Sequence, residues 1–266
     1  MVFPLEPKPV CDKLLGRLKA ARVLGQGAQG KAFVYKDAVV KQMNLGSYRG
    51  ETREFVQNYT YRADFEVHAM KKLANTGFVP KYFASWKCHA PKLKPMADNL
   101  TGKKKIRPPK GKGYYQAYIK MDRLHGVNLN KHLKAGKKFD KRQLEELVRN
   151  VYIMNTKYNI VHTDLHVENI VMSAKGKAYI IDFGLAWRGQ YERAALDEDI
   201  IYMKDWFLSN KYVKIPRATI KKIFNKYIHK YPGREHTTDA VLNELQYAIK
   251  KLRDSDPSKH LDLAFS

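Results

Sequence analysis

The chain has 266 residues and a formal net charge of +24, with 44% hydrophobic and 29% charged residues. That length and apolar content suit one sizeable core, and no apolar run reaches the ~18 residues of a membrane span. The only cysteines are Cys11 and Cys88, which predicts no disulfide framework and suits a reducing compartment, cytoplasmic or nuclear.

Residues 1–9 are Pro-rich and lack the apolar stretch of a signal peptide. Leu14, Leu15 and Leu18 predict a short amphipathic helix over 11–20. The run from Val23 to Tyr35 then places Gly25, Gly27 and Gly30 as G-x-G-x-x-G between two strand-like stretches. Glycines so spaced let a backbone approach phosphates without Cβ clashes. A Rossmann turn has the same glycines but runs from a strand into a helix. Here Lys31-Ala32-Phe33-Val34-Tyr35 reads as a strand, which favours a glycine-rich hairpin. Lys41 ends the next apolar strand, Ala38-Val39-Val40, and suits a contact to the α- and β-phosphates. It needs a carboxylate to hold it. Phe65, Ala69, Met70 and Leu73 recur at helical spacing over 64–73, and Glu66 beside that stripe is the partner. Glu51 and Glu54 are rivals, because the segment between strand and helix is long.

Residues 78–86 and 114–121 read as two more strands. Between Lys87 and Gly113 nine basic residues stand against one acid, Asp98, with prolines that oppose regular structure. Such a stretch suits nucleic acid, another polyanion, an acidic partner or an anionic membrane surface. Lys103-Lys104-Lys105 also fits an import signal, and the blander reading is a solvated loop that keeps the protein soluble. Residues 140–158 read as an amphipathic helix that starts at the Asp140 cap.

The most informative stretch follows. Asp164 is succeeded by Asn169 five residues later and by Asp182 thirteen residues after that, each at the end of a short apolar run. One base and two oxygen donors for magnesium, set at strand ends, is what phosphoryl transfer needs. Residues 197–208 read as a capped, buried helix. Two more helices are expected over 216–230 and 237–253, the first with a basic face of Arg217, Lys221, Lys222, Lys226 and Lys230.

Glycine loop, strand Lys, helix Glu, H-x-D-L-x-x-x-N and D-F-G occur in the order that resembles the protein-kinase superfamily, over about residues 20–210. The resemblance implies a single α+β kinase-like domain, 1–266, with a bilobal fold. Its N-lobe, about 11–121, would be a small antiparallel sheet with one helix and the basic insertion 87–113. Its C-lobe, about 122–266, would be reduced and mostly helical. The resemblance makes Asp164 the catalytic base, Asn169 and Asp182 the magnesium ligands, and Lys41 with Glu66 the activating ion pair. It assigns ATP to Gly25, Gln26, Gly27, Gly30, Lys41 and His166. A hinge would add Met121 as gatekeeper and the backbone of Asp122 to Leu124 against adenine. ATP and Mg2+ are the implied cofactors.

The chain also departs from that pattern. Thr163 replaces the Arg that pairs with a phosphorylated activation loop, so activation by loop phosphorylation is not expected. His166 stands where a Lys is usual, as in small-molecule phosphotransferases. A-P-E is missing. The arrangement is similar to compact atypical kinases, including the RIO family, the small kinase of the KEOPS complex and small viral or effector kinases, with Asp199 as a brace for the catalytic loop. If viral, the protein would act in the host cell or virion. The leading expectation is a Ser/Thr protein kinase. The alternatives are an aminoglycoside-type phosphotransferase and a kinase-fold ATPase or nucleic-acid-binding module. The expected partners are a protein substrate and, through 87–113, a polyanion or nucleic acid.

Overall fold

The computed structural model describes residues 4–27, 30–44, 53–90, 114–188 and 193–228. The chain divides into two compact units, Met1–Leu124 with Asp182–Gly184, and His125–Ile181 with Leu185–Ser266.

The first unit is built on a five-stranded antiparallel sheet. Its strands are β1 (Val23–Gly27), β2 (Gly30–Tyr35), β3 (Ala38–Asn44), β4 (Tyr82–Ala90) and β5 (Tyr114–Asp122), in the order β1-β2-β3-β5-β4. Two helices accompany it, α1 (Lys8–Lys19) and α2 (Arg53–Leu73). Period-two alternation sends Val40 and Lys41 to opposite faces. On the face of Val40, the side chains of Phe33, Tyr118 and Cys88 form a core that Cys11 and Leu18 of α1 close. Trp86 stacks on Tyr118 there, with ring centroids 5.7 Å apart. On the other face Lys41 meets α2, which buries Phe65, Val67, Ala69, Met70 and Leu73.

The edge strand β4 is not left bare. The Glu6 N–H donates to the Lys87 carbonyl at 3.1 Å and the Lys87 N–H donates to the Pro4 carbonyl at 2.9 Å, so residues 4–6 cover an edge that would otherwise invite pairing. Helix α1 begins at Lys8, ahead of the expected 11, because Pro9 sits in a first turn that has no use for its missing N–H. Strand β4 begins at Tyr82 rather than 78, since Pro80 has no N–H for a ladder. It continues to Ala90, so the start of the expected basic insertion is strand. Residues 91–113 lie outside the described residues.

The expectation of two unpaired cysteines is corrected. Cys11 and Cys88 form a disulfide across 77 residues, with Cα atoms 5.7 Å apart. The packing of α1 on the sheet brings them together, which spacing in the chain does not reveal. Cysteine usage therefore no longer argues for a reducing compartment.

The second unit has a three-stranded antiparallel sheet of β6 (Gly126–Asn128), β8 (Ile170–Ser173) and β9 (Ala178–Ile180), and a two-stranded one of β7 (Ile160–Val161) and β10 (Trp187–Arg188). Its helices are α3 (Leu129–Lys134), α4 (Lys141–Thr156), α5 (Arg193–Ser209) and α6 (Arg217–Asn225). Asp140 starts α4 through a capping box. Its side chain accepts the Gln143 N–H at 3.0 Å, and the Gln143 side chain accepts the Asp140 N–H at 2.8 Å. Leu144, Leu147, Val148, Val151 and Met154 then bury one face of α4. Phe207 of α5 joins that core, stacked on Phe139 and tilted against Phe224 of α6. Helix α6 ends at Asn225, short of 230, and the expected helix 237–253 lies outside the described residues. Among the described residues no helix is long and apolar enough to cross a membrane.

Candidate active site

In the first unit, the last apolar pair of β3 aims Lys41 at α2. Its ammonium donates to both Glu66 oxygens, at 2.7 and 2.8 Å, and to Asp182 Oδ1 at 2.6 Å. Glu66 is 1% exposed and fully sealed, whereas the Asp182 side chain is 46% exposed. Burial works against the Lys41 charge, but the carboxylates of Glu66 and Asp182 outweigh it and hold its pKa above the ordinary value. Burial likewise pushes Glu66 upward, opposed by Lys41 and by a hydrogen bond from the Phe183 backbone. We read the pair as ionised, since two carboxylates share one cation at hydrogen-bond distance. Of the rivals for this partnership, Glu51 lies outside the described residues.

The glycines lie in the β1–β2 hairpin, in which Gln26 pairs with Lys31 and Gly27 with Gly30. A strand-to-strand hairpin is the reading opposite to a Rossmann turn. The glycines differ in why they lack a side chain. A Cβ on Gly30 would strike the Gln42 carbonyl of β3, so the sheet itself requires glycine there. A Cβ on Gly25 would meet nothing within 4 Å, so that position is open. Met121 and Asp122 end β5, opposite Val39 and Ala38. The Asp122 N–H already donates to the Lys81 carbonyl at 2.9 Å and is not free for a ligand. Leu124 is the last residue of the first unit before His125.

In the second unit, β7 delivers His162 and Thr163 to the turn that carries Asp164. Asn169 is buried and closes that turn, donating from Nδ2 to the Asp164 carbonyl at 2.9 Å and to Asp164 Oδ2 at 3.3 Å. His166 caps the short 3-10 turn Val167–Asn169, where its Nδ1 accepts the Glu168 N–H at 3.2 Å. Its Nε2 lies 3.6 Å from Asp164 Oδ1 and 3.2 Å from Asn169 Nδ2. Asp164 and His166 keep 42% and 32% of their side chains exposed.

The loop is held from behind by Asp199 of α5, which is 2% exposed. Its two oxygens accept the His162 N–H at 2.7 Å and the Thr163 N–H at 2.9 Å. Burial pushes its pKa up, partly offset by His162, by these two N–H groups and by Asn155. His162 is fully buried, with Nε2 3.0 Å from the Ile181 carbonyl, a bracing contact rather than a reactive one. One residue was singled out in the sequence only for what it replaces. Thr163 has φ 59° and its hydroxyl donates to the Leu185 carbonyl at 2.7 Å. The signal was a hydroxyl at the expected Arg position, which named no partner.

A family model, the ABC1 atypical kinase-like domain, matches residues 90–203, the stretch that holds Asp164, Asn169, Asp182 and Asp199. Over that stretch the chain is similar to an atypical kinase-like domain. Its mixed fold, with the five-stranded antiparallel sheet and the helices above, agrees with the expected class. Among solved structures, the chain is similar to a co-crystal structure of WbdD and the kinase inhibitor LY294002, at 17% identity and TM-score 0.48, over 82% of this chain and 49% of that one. It is also similar to the bifunctional kinase-methyltransferase WbdD, at 18% identity and TM-score 0.43, over 81% of this chain and 47% of that one. The chain thus spans about half the length of these structures. No curated protein matches it.

Proposed function

We propose that the chain is an ATP- and magnesium-dependent protein kinase that phosphorylates Ser or Thr. The observation that carries this reading is the Lys41–Glu66 pair, a sealed carboxylate holding a strand lysine whose ammonium also reaches Asp182. An ordinary structural lysine has no need of two carboxylates. Lys41 would bind the α- and β-phosphates, and the open position at Gly25 would let the hairpin lie close over them. Met121 and the backbone from Asp122 to Leu124 would meet adenine.

Asn169 and Asp182 offer oxygen donors of the kind magnesium takes. That ion keeps several waters and substrate phosphates and needs only one or two carboxylates from protein, so the donor set fits. When bound, it supplies charge stabilisation for the transferring phosphoryl. With its Nδ2 turned to Asp164, Asn169 has Oδ1 left for that duty. Asp164, half-exposed and steadied by Asn169, would accept the proton of the acceptor hydroxyl. His166 would touch the γ-phosphate. Residues 87–113 would draw an acidic substrate or a polyanion.

The test is phosphate transfer from labelled ATP with magnesium, using wild type and Asp164→Asn on acidic and basic model proteins and an aminoglycoside. Label on protein that the substitution abolishes supports the reading. Label on the drug alone favours a small-molecule phosphotransferase, a second reading that His166 supports by its place beside Asp164. Phosphate release without a labelled acceptor points to an ATPase. ATP binding without turnover points to a binding module.

A further inference from the structure

The second unit carries a field of positive charge that the site above does not use. From Trp206 to Ile228 the chain holds Lys211, Lys214, Arg217, Lys221, Lys222 and Lys226 and no Asp or Glu, whereas 50 basic residues stand against 26 acidic ones in the whole chain. All six are exposed. Helix α6 turns its share of them outward, because Ile220, Ile223 and Phe224 are buried beneath. The field continues onto α4. There Lys141, Glu145 and Arg149 lie one turn apart in a single row. That row meets α6: Lys226 Nζ donates to Glu145 Oε1 at 3.0 Å, and Tyr152 packs on Tyr227 with ring centroids 5.4 Å apart. The Lys226 hydrogen bond, and then the charges of Lys226, Lys141 and Arg149, hold the Glu145 carboxyl below its ordinary range.

Folding does not ask for this arrangement. Arg217 with Lys221, and Lys222 with Lys226, set like charges one turn apart, which opposes a helix. Arg217 also stands in the first turn, at the positive end of the helix dipole. The chemistry of the field narrows the partner. The apolar side of α6 faces the core, so the helix has no face to insert into a membrane. Within 206–228 the one exposed large hydrophobic side chain is Tyr212, with Lys211 Nζ 5.3 Å from its ring centroid. That is too little for the apolar centre of a protein interface, or for the run of stacking aromatics that a single strand asks for. Cations and one Tyr spread over two helices and a loop suit the phosphates of a duplex, contacts that hold the backbone without reading bases.

We propose that α6, with the loop before it and the α4 row, is a binding site for the phosphate backbone of duplex nucleic acid, taken without regard to sequence. It is a different stretch from 87–113 and does not depend on the kinase reading.

Binding of a short labelled DNA duplex of mixed sequence is measured by anisotropy across a salt series. Arg217→Gln, Lys221→Gln and Lys222→Gln together should weaken it more than tenfold at ~0.1 M salt and flatten the slope of log K against log salt by about 2 to 3, near one per lost contact. Glu145→Gln, which removes the acid in the α4 row, should tighten binding. Lys221→Arg with Lys222→Arg alters the same helix but keeps its charge and should match wild type. A triple variant that binds as wild type does, an Arg pair as weak as the triple variant, or tighter capture by phosphatidylserine vesicles or polyglutamate than by the duplex would each overturn the proposal. Phosphotransfer is not the readout, so failure here leaves the kinase reading untouched.

Discussion

In the first unit the chemistry-bearing groups hold one another. Lys41 lies 2.6–2.8 Å from three carboxylate oxygens, two of them on a residue that is 1% exposed. In the second unit Asp164 and His166 stay partly open to solvent, and the turn that carries them is held from behind by Asp199 and from within by Asn169. A buried ion cluster fixes itself but is sensitive to the loss of any member. A scaffolded turn leaves its working oxygens free and moves the sensitivity to the scaffold. The two units also depend on different conditions. The first is stapled by a disulfide, and the second contains a buried carboxylate, Asp199, beside the part-buried Glu198, so one should answer to redox and the other to pH.

The disulfide offers the largest expected effect. Bridging residues 77 apart restricts the unfolded chain by about 4 kcal/mol in the chain-entropy account. Cys88→Ser, or reductant on the wild type, should lower the melting temperature and raise amide exchange in α1 well before exchange rises in α4. Equal melting with and without reductant would break the comparison, because nothing would then set the first unit apart.

Glu198 gives the matching lever for the second unit. Burial, and next the adjoining Asp199, push its carboxyl up to about 7. One of its oxygens is buried with no hydrogen-bond partner. A folded pKa above the unfolded one means that the folded state holds the proton longer. The stabilisation is complete below the ordinary carboxylate range, declines as pH rises towards 7, and is absent above it. Glu198→Gln, neutral at every pH, should therefore be more stable than wild type at pH 8 by roughly 3 kcal/mol and close to it at pH 4. Chemical denaturation at the two pH values measures this. A gain of the same size at both would mean that packing, and not titration, governs the site.

What the sequence showed and what it hid follow from the range of the interactions. The hairpin, the Asp140 cap and the Asp164–Asn169 turn are local, and each was readable as a short string. Glu66 was readable as one of three carboxylates, because helical spacing favoured it without excluding its rivals. Asp199 was read as an acid near the start of a helix over 197–208, whereas α5 begins at Arg193 and holds Asp199 inside it. The disulfide was not, since it depends on α1 lying across the sheet next to β4. Helix α3 is six residues long and was missed. Its only local mark is Asn128, whose side chain accepts the Lys131 N–H at 2.9 Å. The early start of α2, at Arg53, was missed because the helical stripe was read only from Phe65 on, although Phe55, Tyr59 and Ala63 extend it.

The smallest expected effect on stability is the most direct test of what the hairpin is for. At Gly30 an added Cβ would strike the Gln42 carbonyl, so folding alone explains that glycine. At Gly25 the same Cβ would meet nothing within 4 Å, so the fold does not ask for glycine there. Gly25→Ala should then change unfolding free energy by no more than about 0.5 kcal/mol, as an exposed substitution does. If the open position exists so that the backbone can approach phosphates, ATP binding by calorimetry should weaken while melting stays put. Binding that is unchanged would assign the hairpin to the sheet alone and leave Lys41 as the first unit's chief phosphate contact.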